Sequence, residues 1–375
     1  MRCYAVRPLA LGVTLFCVTG LVPAQSPAAI ESAIERLGSE SPAERAGARK
    51  VILDMGDAGI AALRRACAAT KGIPPEMLFV IAEDIGRERR SVTFKQTWDL
   101  GERGWRLQWR GDQLALLQKL GGTVRFFDAQ WQPTGESFGK DAGYFALSPT
   151  GKGFAFNEGK GKVVIAQDGK PPVQIAGQDR PSVAYSPDGS LLATGEYANH
   201  VDLWRVADGA RVNQFTVEGT RGGLRPLFSP DGKLLVVGNR NDKTHIFNVD
   251  TGKVLHVLNR KQTQQPVFSP NGKLLAIAYV DAKIGIWNVA TGKLVKLLDG
   301  AAEEVFTLAW SGDGRFFASA GLKGPIVIWS GKHLAKLKTL DSGSERTFRL
   351  AFRADGKVLA ATGNQTTRAW TIATK

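Results

Sequence analysis

The chain has 375 residues, a formal net charge of +14 and a pI near 9.8. Its length accommodates one large domain or two modest ones, and its 43 glycines in an otherwise ordinary globular composition indicate many turns. Beyond the first 24 residues no apolar run approaches the length of a membrane span, which argues against an integral membrane protein.

Residues 1–24 have the pattern of a secretory signal peptide. Residues 1–7 carry positive charge, residues 8–22 are apolar, and Val22-Pro23-Ala24 forms a cleavage site before Gln25. The pattern predicts an exported protein, periplasmic or secreted if bacterial, with no membrane span after cleavage. The alternative is an uncleaved N-terminal anchor.

Residues 25–90 predict a module of four short helices. Ser41-Pro42-Ala43-Glu44 is a helix start, with Ser41 as N-cap and Glu44 closing a capping box. Cys67, the one cysteine after the predicted cleavage site, fits a small buried residue better than a reactive thiol. Residues 35–66 resemble a HEAT-like unit. The module is expected to cover one edge of the next domain or, alternatively, to offer a second docking surface.

From residue 91 to the end, one pattern of turn, strand, turn and strand repeats seven times. A turn such as SPDG opens each copy, and a third strand with a large apolar residue near its end follows. The glycines of these turns, 38 to 43 residues apart, are Gly111, Gly151, Gly189, Gly232, Gly272, Gly314 and Gly356. Periods near 40 residues with three or four strands each are typical of a β-propeller.

The repeats resemble those of WD40 proteins over about 285 residues, from 91 to 375. The resemblance implies a mostly β fold, a divergent seven-bladed β-propeller. The aromatic residues at the family's Trp position are Phe127, Trp204, Phe247, Trp287, Trp329 and Trp370. No copy has the family's Gly-His pair, and no third strand ends in Trp-Asp. Packing is therefore expected to hold the ring rather than the family's Asp-His-Ser-Trp network.

The last copy stops after its third strand. Residues 91–97 alternate like a strand and have no partner in the first copy. We expect this segment to supply the missing outer strand and so to close the ring, since an open propeller would expose unpaired strand edges.

The sequence shows no catalytic constellation. Its histidines, His200, His245, His256 and His333, have no ligand partner at metal spacing, and there is no nucleophile elbow or P-loop. An enzyme site in the central channel would need clustered carboxylates or histidines at its mouth, and none is evident. We therefore expect a non-enzymatic protein without cofactor or metal.

The basic excess lies in the propeller, because the charges of the helical module balance. One face of the propeller is formed by the loops that lead into first strands and by the loops between second and third strands. These loops contain twelve basic and eleven acidic residues, so their charges nearly balance. The excess therefore falls on strands and the rim, for example at Lys293, Lys296, Lys332, Lys336 and Lys338. A basic rim could bind an anionic glycan or envelope surface. Without exposed stacking aromatics, nucleic acid is not an expected partner.

The resemblance to WD40 rings implies a rigid platform for a protein or peptide partner. Three polar loops, 218–222, 239–242 and 260–263, are longer than turns require. The residues predicted to bind the partner are Arg221, Arg240, Asp242, Lys243, Arg260 and Lys261. The sequence thus predicts a non-enzymatic protein–protein interaction scaffold of the exported compartment, with binding of an anionic glycan or envelope surface through the basic rim as the alternative. The salt dependence of binding distinguishes the two functions, because electrostatic binding through the rim weakens as the ionic strength rises.

Overall fold

A computed structural model describes residues 27–67, 73–159, 161–176, 181–195, 199–217, 223–238, 243–260, 266–279, 281–300 and 303–374. Within these ranges four helices are followed by 27 strands. The predicted signal segment, residues 1–24, lies outside the described residues. None of the described helices is long and apolar enough to cross a membrane.

The four helices are α1 (Pro27–Leu37), α2 (Pro42–Asp54), α3 (Gly56–Cys67) and α4 (Pro75–Ser91). Ser41 caps α2, since its hydroxyl oxygen accepts a hydrogen bond from the Glu44 amide at 3.4 Å. The expected capping box is only half formed, because the Glu44 carboxylate accepts from the Ser39 hydroxyl instead of the Ser41 amide. The Ser41 amide donates its hydrogen bond to Ser39 Oγ, at 3.2 Å.

Helices α1 and α4 approach closely where two glycines meet. A Cβ atom on Gly86 would lie 2.7 Å from the Gly38 nitrogen, so a larger residue would force the helices apart. Cys67 is buried between α3 and α4, as expected, and this burial raises the pKa of its thiol to about 12.

Except in the sheet that contains the first strand, the members of each sheet follow one another along the chain. The first strand, β1, is Val92–Asp99. A seven-stranded sheet contains β2 (Arg106–Arg110), β3 (Gln113–Leu117), β4 (Gly122–Phe127), β5 (Pro133–Leu147), β6 (Gly153–Glu158), β7 (Lys162–Gln167) and β8 (Lys170–Ala176). The next sheet contains β9 (Ser182–Tyr185), β10 (Leu191–Gly195), β11 (His200–Arg205) and β12 (Arg211–Thr216).

The remaining sheets each have four strands. The first contains β13 (Arg225–Phe228), β14 (Leu234–Gly238), β15 (Thr244–Asn248) and β16 (Val254–Leu258). The second contains β17 (Val267–Phe268), β18 (Leu274–Ala278), β19 (Lys283–Asn288) and β20 (Lys293–Asp299). The third contains β21 (Glu304–Trp310), β22 (Phe316–Leu322), β23 (Ile326–Ser330) and β24 (Lys336–Leu340). The last joins β1 to β25 (Thr347–Phe352), β26 (Val358–Gly363) and β27 (Thr367–Thr374).

The seven-stranded sheet spans the first two sequence repeats, because β5 serves both. Its first half pairs with β4, as in Val124 with Phe138, and its second half pairs with β6, as in Phe145 with Phe156. If each half of β5 is assigned to its own unit, the sheets correspond to the seven repeats of the sequence.

The first strand of each unit lies on the inside of a ring. Strand β2 contacts β25 and β5, β5 contacts β9, and β9 contacts β13, while β17 contacts β21 and β21 contacts β25. Apolar side chains from the sheets of β13 and β17, including Val236, Ile246 and Leu275, share one buried cluster. The sheets therefore pack side by side around a central axis, as the blades of a propeller do.

Strand β1 lies beside the last strand of the chain. It pairs antiparallel with β27 from Val92 opposite Thr374 to Asp99 opposite Arg368, which places it in the outer position of the last sheet. The Arg368 guanidinium joins Asp99 at 2.7 Å and Asp341 at 3.1 Å. Segments from the two ends of the chain thus share one sheet.

The helices pack against the outer strand of the sheet that contains β21–β24. Nε and Nη2 of Arg89 in α4 donate to the Lys336 carbonyl at 2.9 and 2.6 Å. Asp84 Oδ2 lies 2.6 Å from Lys332 Nζ and 2.8 Å from His333 Nε2. Beneath these contacts, helix and blade side chains form one apolar cluster. The helices thus cover the outer edge of a blade.

Candidate functional site

The inner strands surround a central channel. A cavity of about 660 Å³ is lined by residues of β2, β5, β9, β13, β17 and β25. Arg106, Arg225 and Arg349, near the starts of β2, β13 and β25, line one cavity, so these inner strands begin at the same end of the channel. Residues at equivalent positions in the inner strands therefore lie at the same level of the channel.

One such position, at the start of the inner strand, carries the polar groups of the channel. The residues that occupy it, each seven positions before its turn glycine, are Tyr144, Ser182, Arg225, Thr307 and Arg349. Arg106 lies five positions before Gly111, because the first turn is two residues shorter. Gln265, at this position in the fifth repeat, lies outside the described residues. Three arginines and a tyrosine thus belong to one ring of positions.

Neighbouring groups hold two of these arginines in place. The Arg106 guanidinium lies over the Tyr144 ring, 3.8 Å from its centroid, and its Nε donates to the Gly143 carbonyl at 3.1 Å. Arg349 Nη1 donates to the Phe348 carbonyl at 3.4 Å.

The small residues at this position, Ser182 and Thr307, connect neighbouring blades. The Ser182 hydroxyl donates to the Leu224 carbonyl at 2.6 Å, and the Thr307 hydroxyl oxygen accepts from the Leu350 amide at 3.0 Å. Both hydrogen bonds connect one blade to the next. A short hydroxyl side chain therefore suffices at this position to join adjacent blades.

The three arginines repel one another inside the channel. Burial lowers the pKa of Arg106 to about 10, and the charge of Arg225 adds to this effect. Burial and the charges of Arg106 and Arg225 bring the pKa of Arg349 well below its usual range. Burial opposes ionisation of the Tyr144 hydroxyl, but the three guanidinium charges outweigh it and lower the pKa. The channel thus has a strongly positive local field.

The mouth of the channel combines aromatic and charged residues. A cavity of about 380 Å³ opens there, lined by Trp105, Phe306, Phe348, Arg346, Glu304 and the three channel arginines. Trp105 is 37% exposed and packs on Phe348, with ring centroids 4.9 Å apart. Around this mouth the described residues place four arginines against one carboxylate, Glu304.

Most of the predicted partner-binding residues cannot be compared with this site. Arg221, Arg240, Asp242 and Lys261 lie outside the described residues. The connections that contain Arg221 and Lys261 lead into β13 and β17, two inner strands.

Two of the predicted residues are described. Lys243 is exposed directly before β15. Arg260 lies over the Tyr279 ring, 4.3 Å from its centroid, and forms an ion pair with Asp281. It therefore has partners in the neighbouring blade, and its role in binding stays a prediction.

The histidines lie away from the channel lining. His256 contacts the Ala290 carbonyl at 3.2 Å, His200 lies 3.5 Å from Asp202, and His333 joins Asp84. His245 is buried, with its ring 6.1 Å from that of Phe247. Over the described ranges, no three His, Cys, Asp or Glu side chains are grouped so that they could hold a metal ion.

Sequence reasoning missed the channel arginines, although a signal was present. Alignment of the repeats on their turn glycines brings Arg225 and Arg349 to one column, with Arg106 joining once the short first turn is allowed for. The binding residues predicted from the sequence all lie in or beside loops, whereas these arginines lie near the starts of inner strands.

Comparisons with known proteins support the fold. The family model of the anaphase-promoting complex subunit 4 WD40 domain matches residues 183–267, and that of eukaryotic translation initiation factor eIF2A matches residues 228–323. A chain from the solved "Crystal Structure of Mitotic Checkpoint Complex" is similar with a TM-score of 0.66 and 18% identity, over 75% of this chain and 93% of that chain. No curated protein matches at a significant level. These similarities and the ring of repeated sheets show that the chain has the fold of a WD40 repeat β-propeller, with N-terminal helices.

Proposed function

We propose that this chain is a non-enzymatic interaction scaffold of the exported compartment, which binds a protein or peptide at the mouth of its channel. The WD40 propeller fold suggests such a scaffold, and one observation carries the choice of face. Trp105, Phe306, Phe348 and Arg346 surround an open cavity there. Trp and Arg are the residue types most enriched at the energetic centres of protein interfaces.

The mouth is suited to binding because its exposed aromatic side chain is held in place. Trp105 packs on Phe348, and its main-chain amide donates to the Leu117 carbonyl at 2.8 Å. A preorganised aromatic group loses little conformational entropy when a partner covers it. The loops that the sequence predicts to bind, 218–222, 239–242 and 260–263, are expected to extend this surface.

The alternative, binding of an anionic glycan or envelope surface through the basic rim, has weaker support. Lys332 is paired with Asp84, and half-buried Lys296 donates to the Leu334 carbonyl at 3.1 Å. Burial lowers the pKa of Lys296 to about 8, which reduces its charge relative to an exposed lysine. The helices thus occupy part of the rim on which this alternative depends.

Affinity capture tests the proposal. The chain from Gln25 would be immobilised, exposed to native periplasmic or secreted extract at low and moderate salt, and the retained molecules identified by mass spectrometry. We expect a defined protein that persists at moderate salt and whose affinity falls about tenfold or more with Trp105→Ala. Leu255→Ala, at an exposed apolar residue of the outer strand β16, is the matched control and should bind as the unaltered chain does.

Two results would contradict the proposal. One is a protein retained equally by the unaltered chain and by Trp105→Ala. The other is glycan retained only at low salt, which would favour the basic rim. A variant with Arg221, Arg240 and Arg260 changed to Ala shows whether the predicted loops share in binding, and N-terminal sequencing of exported protein tests cleavage before Gln25.

A further inference from the structure

We propose that Arg106, Arg225 and Arg349 form, together with Tyr144, an oxyanion-binding site just inside the channel mouth. Its expected occupant is a carboxylate on an acidic side chain of the bound partner, and in this respect the inference rests on the proposed function. A free inorganic oxyanion such as phosphate has the same chemistry and is the other source to be tested.

Convergence of like charge is the first reason. The inner strands carry these three arginines to one level of a channel lined by protein on all sides. Burial and then the charges of Arg106 and Arg225 lower the pKa of Arg349, so each guanidinium disfavours its neighbours. An anion among them would relieve the repulsion and would gain charge-assisted hydrogen bonds.

Architecture does not require arginine at this position. Ser182 and Thr307 occupy it in other blades and connect neighbouring blades by short hydrogen bonds. Arg106 and Arg349 instead line the cavity. Arg106 donates a hydrogen bond to the main-chain carbonyl of Gly143, and Arg349 donates one to that of Phe348. Solubility is no explanation, since a surface position would supply charge without the cost of desolvation.

Preorganisation is the third reason. The Tyr144 ring lies under the Arg106 guanidinium, and the Gly143 carbonyl fixes its Nε. A planar guanidinium held in this way can present its remaining N–H donors to two oxygens of a carboxylate or phosphate. Because the channel cavity is about 660 Å³ and opens into the mouth, a side chain can enter from the face that carries Trp105.

Calorimetric titration of the full chain from Gln25 tests the proposal in a buffer of low ionic strength. The probes are sodium phosphate, a tri-glutamate peptide and a tri-glutamine peptide of equal length. We expect saturable binding of tri-glutamate or phosphate but not of tri-glutamine. Arg349→Gln and Arg225→Gln should each weaken binding about 10- to 100-fold. Arg65→Gln, at an exposed arginine of α3 that lines neither the channel nor its mouth, is the matched control and should have little effect.

Thermal unfolding without ligand shows whether the variants fold. Removing one of three repelling charges should leave the midpoint of Arg349→Gln at or above that of the unaltered chain. Binding of tri-glutamate identifies a partner's side chain as the source, and binding of phosphate alone identifies a free anion. The inference is overturned if neither probe binds, or if Arg65→Gln weakens binding as much as Arg349→Gln does. A protein captured without dependence on Trp105 would overturn the proposed function while leaving this site intact.

Discussion

At the scale of single residues, the third-strand aromatics show how the blades are held. Indole N–H groups donate to hydroxyls of the second strand, from Trp204 to Thr194 and from Trp329 to Ser319, both at 2.9 Å. Trp287 donates to the Tyr279 hydroxyl in the same way. The sequence predicts packing as the main role of these aromatics, and the hydrogen bonds add to it. A spacing of ten residues between hydroxyl and indole in the first two pairs is the sequence signal for these bonds.

We expect Ser319→Ala to lower the free energy of unfolding by about 1–3 kcal/mol. Ser319 is 1% exposed, and its loss leaves the buried indole N–H of Trp329 without an acceptor. Ser137→Ala, the same change at an exposed position of β5, should stay within about 0.5 kcal/mol of the unaltered chain. Denaturant unfolding measures both. Equal values for the two variants would mean that this hydrogen bond adds nothing to stability.

At the scale of elements, four of the turns that open a repeat, those of Ser186, Ser229, Ser269 and Ser311, have one construction. In one of them, Leu234 N donates to Ser229 Oγ at 2.9 Å, and that hydroxyl donates to Asp231 Oδ1 at 2.5 Å. Gly232 follows with φ at 73°, a conformation that strains residues with a Cβ atom. The same bonds recur with Asn271 in place of the aspartate, which explains why SPDG and SPNG both occur.

The outer strand β1 carries the second prediction. We expect a chain that begins at residue 100 to unfold at a markedly lower temperature than one that begins at residue 92, because it lacks the strand paired with β27 and leaves that edge open. Both chains lack the helices, so the comparison isolates β1. Differential scanning calorimetry gives the midpoints. Identical midpoints would show that the strand is dispensable for stability.

At the scale of the whole molecule, a set of ion pairs and turn bonds makes stability depend on pH. Hydrogen bonding by Lys332 lowers the pKa of Asp84, and the Ser229 hydroxyl does the same for Asp231. Arg353 lowers the pKa of Asp355. In each case the folded chain favours the ionised carboxylate more than the unfolded chain does. Glu88 opposes this trend, since burial raises its pKa.

We therefore expect stability to fall as the pH drops below about 4, the usual range for aspartate. A lowered pKa in the folded state contributes stability that is fully present above the unfolded-state pKa and is lost as the carboxylate is protonated. The urea midpoint should be similar at about pH 7 and pH 5 and lower at about pH 3. A midpoint that stays constant down to about pH 3 would show that these carboxylates do not govern acid stability.

The sequence by itself determined the repeat, the turn chemistry and the position of the aromatics. Each of these depends on residues close together along the chain, such as Ser229 and Gly232 in one turn. The same local signals predicted the N-terminal helices, although Glu44 found Ser39 instead of its expected partner.

Only the tertiary structure decided what the ring encloses. Arg106, Arg225 and Arg349 are separated by more than a hundred residues, and they meet because closure brings the inner strands around one axis. The docking of α4 on β24 and the sharing of β5 between two repeats likewise depend on contacts between distant or alternative partners. Local propensity does not encode such contacts, since they form only when the apolar faces of all the sheets are buried together.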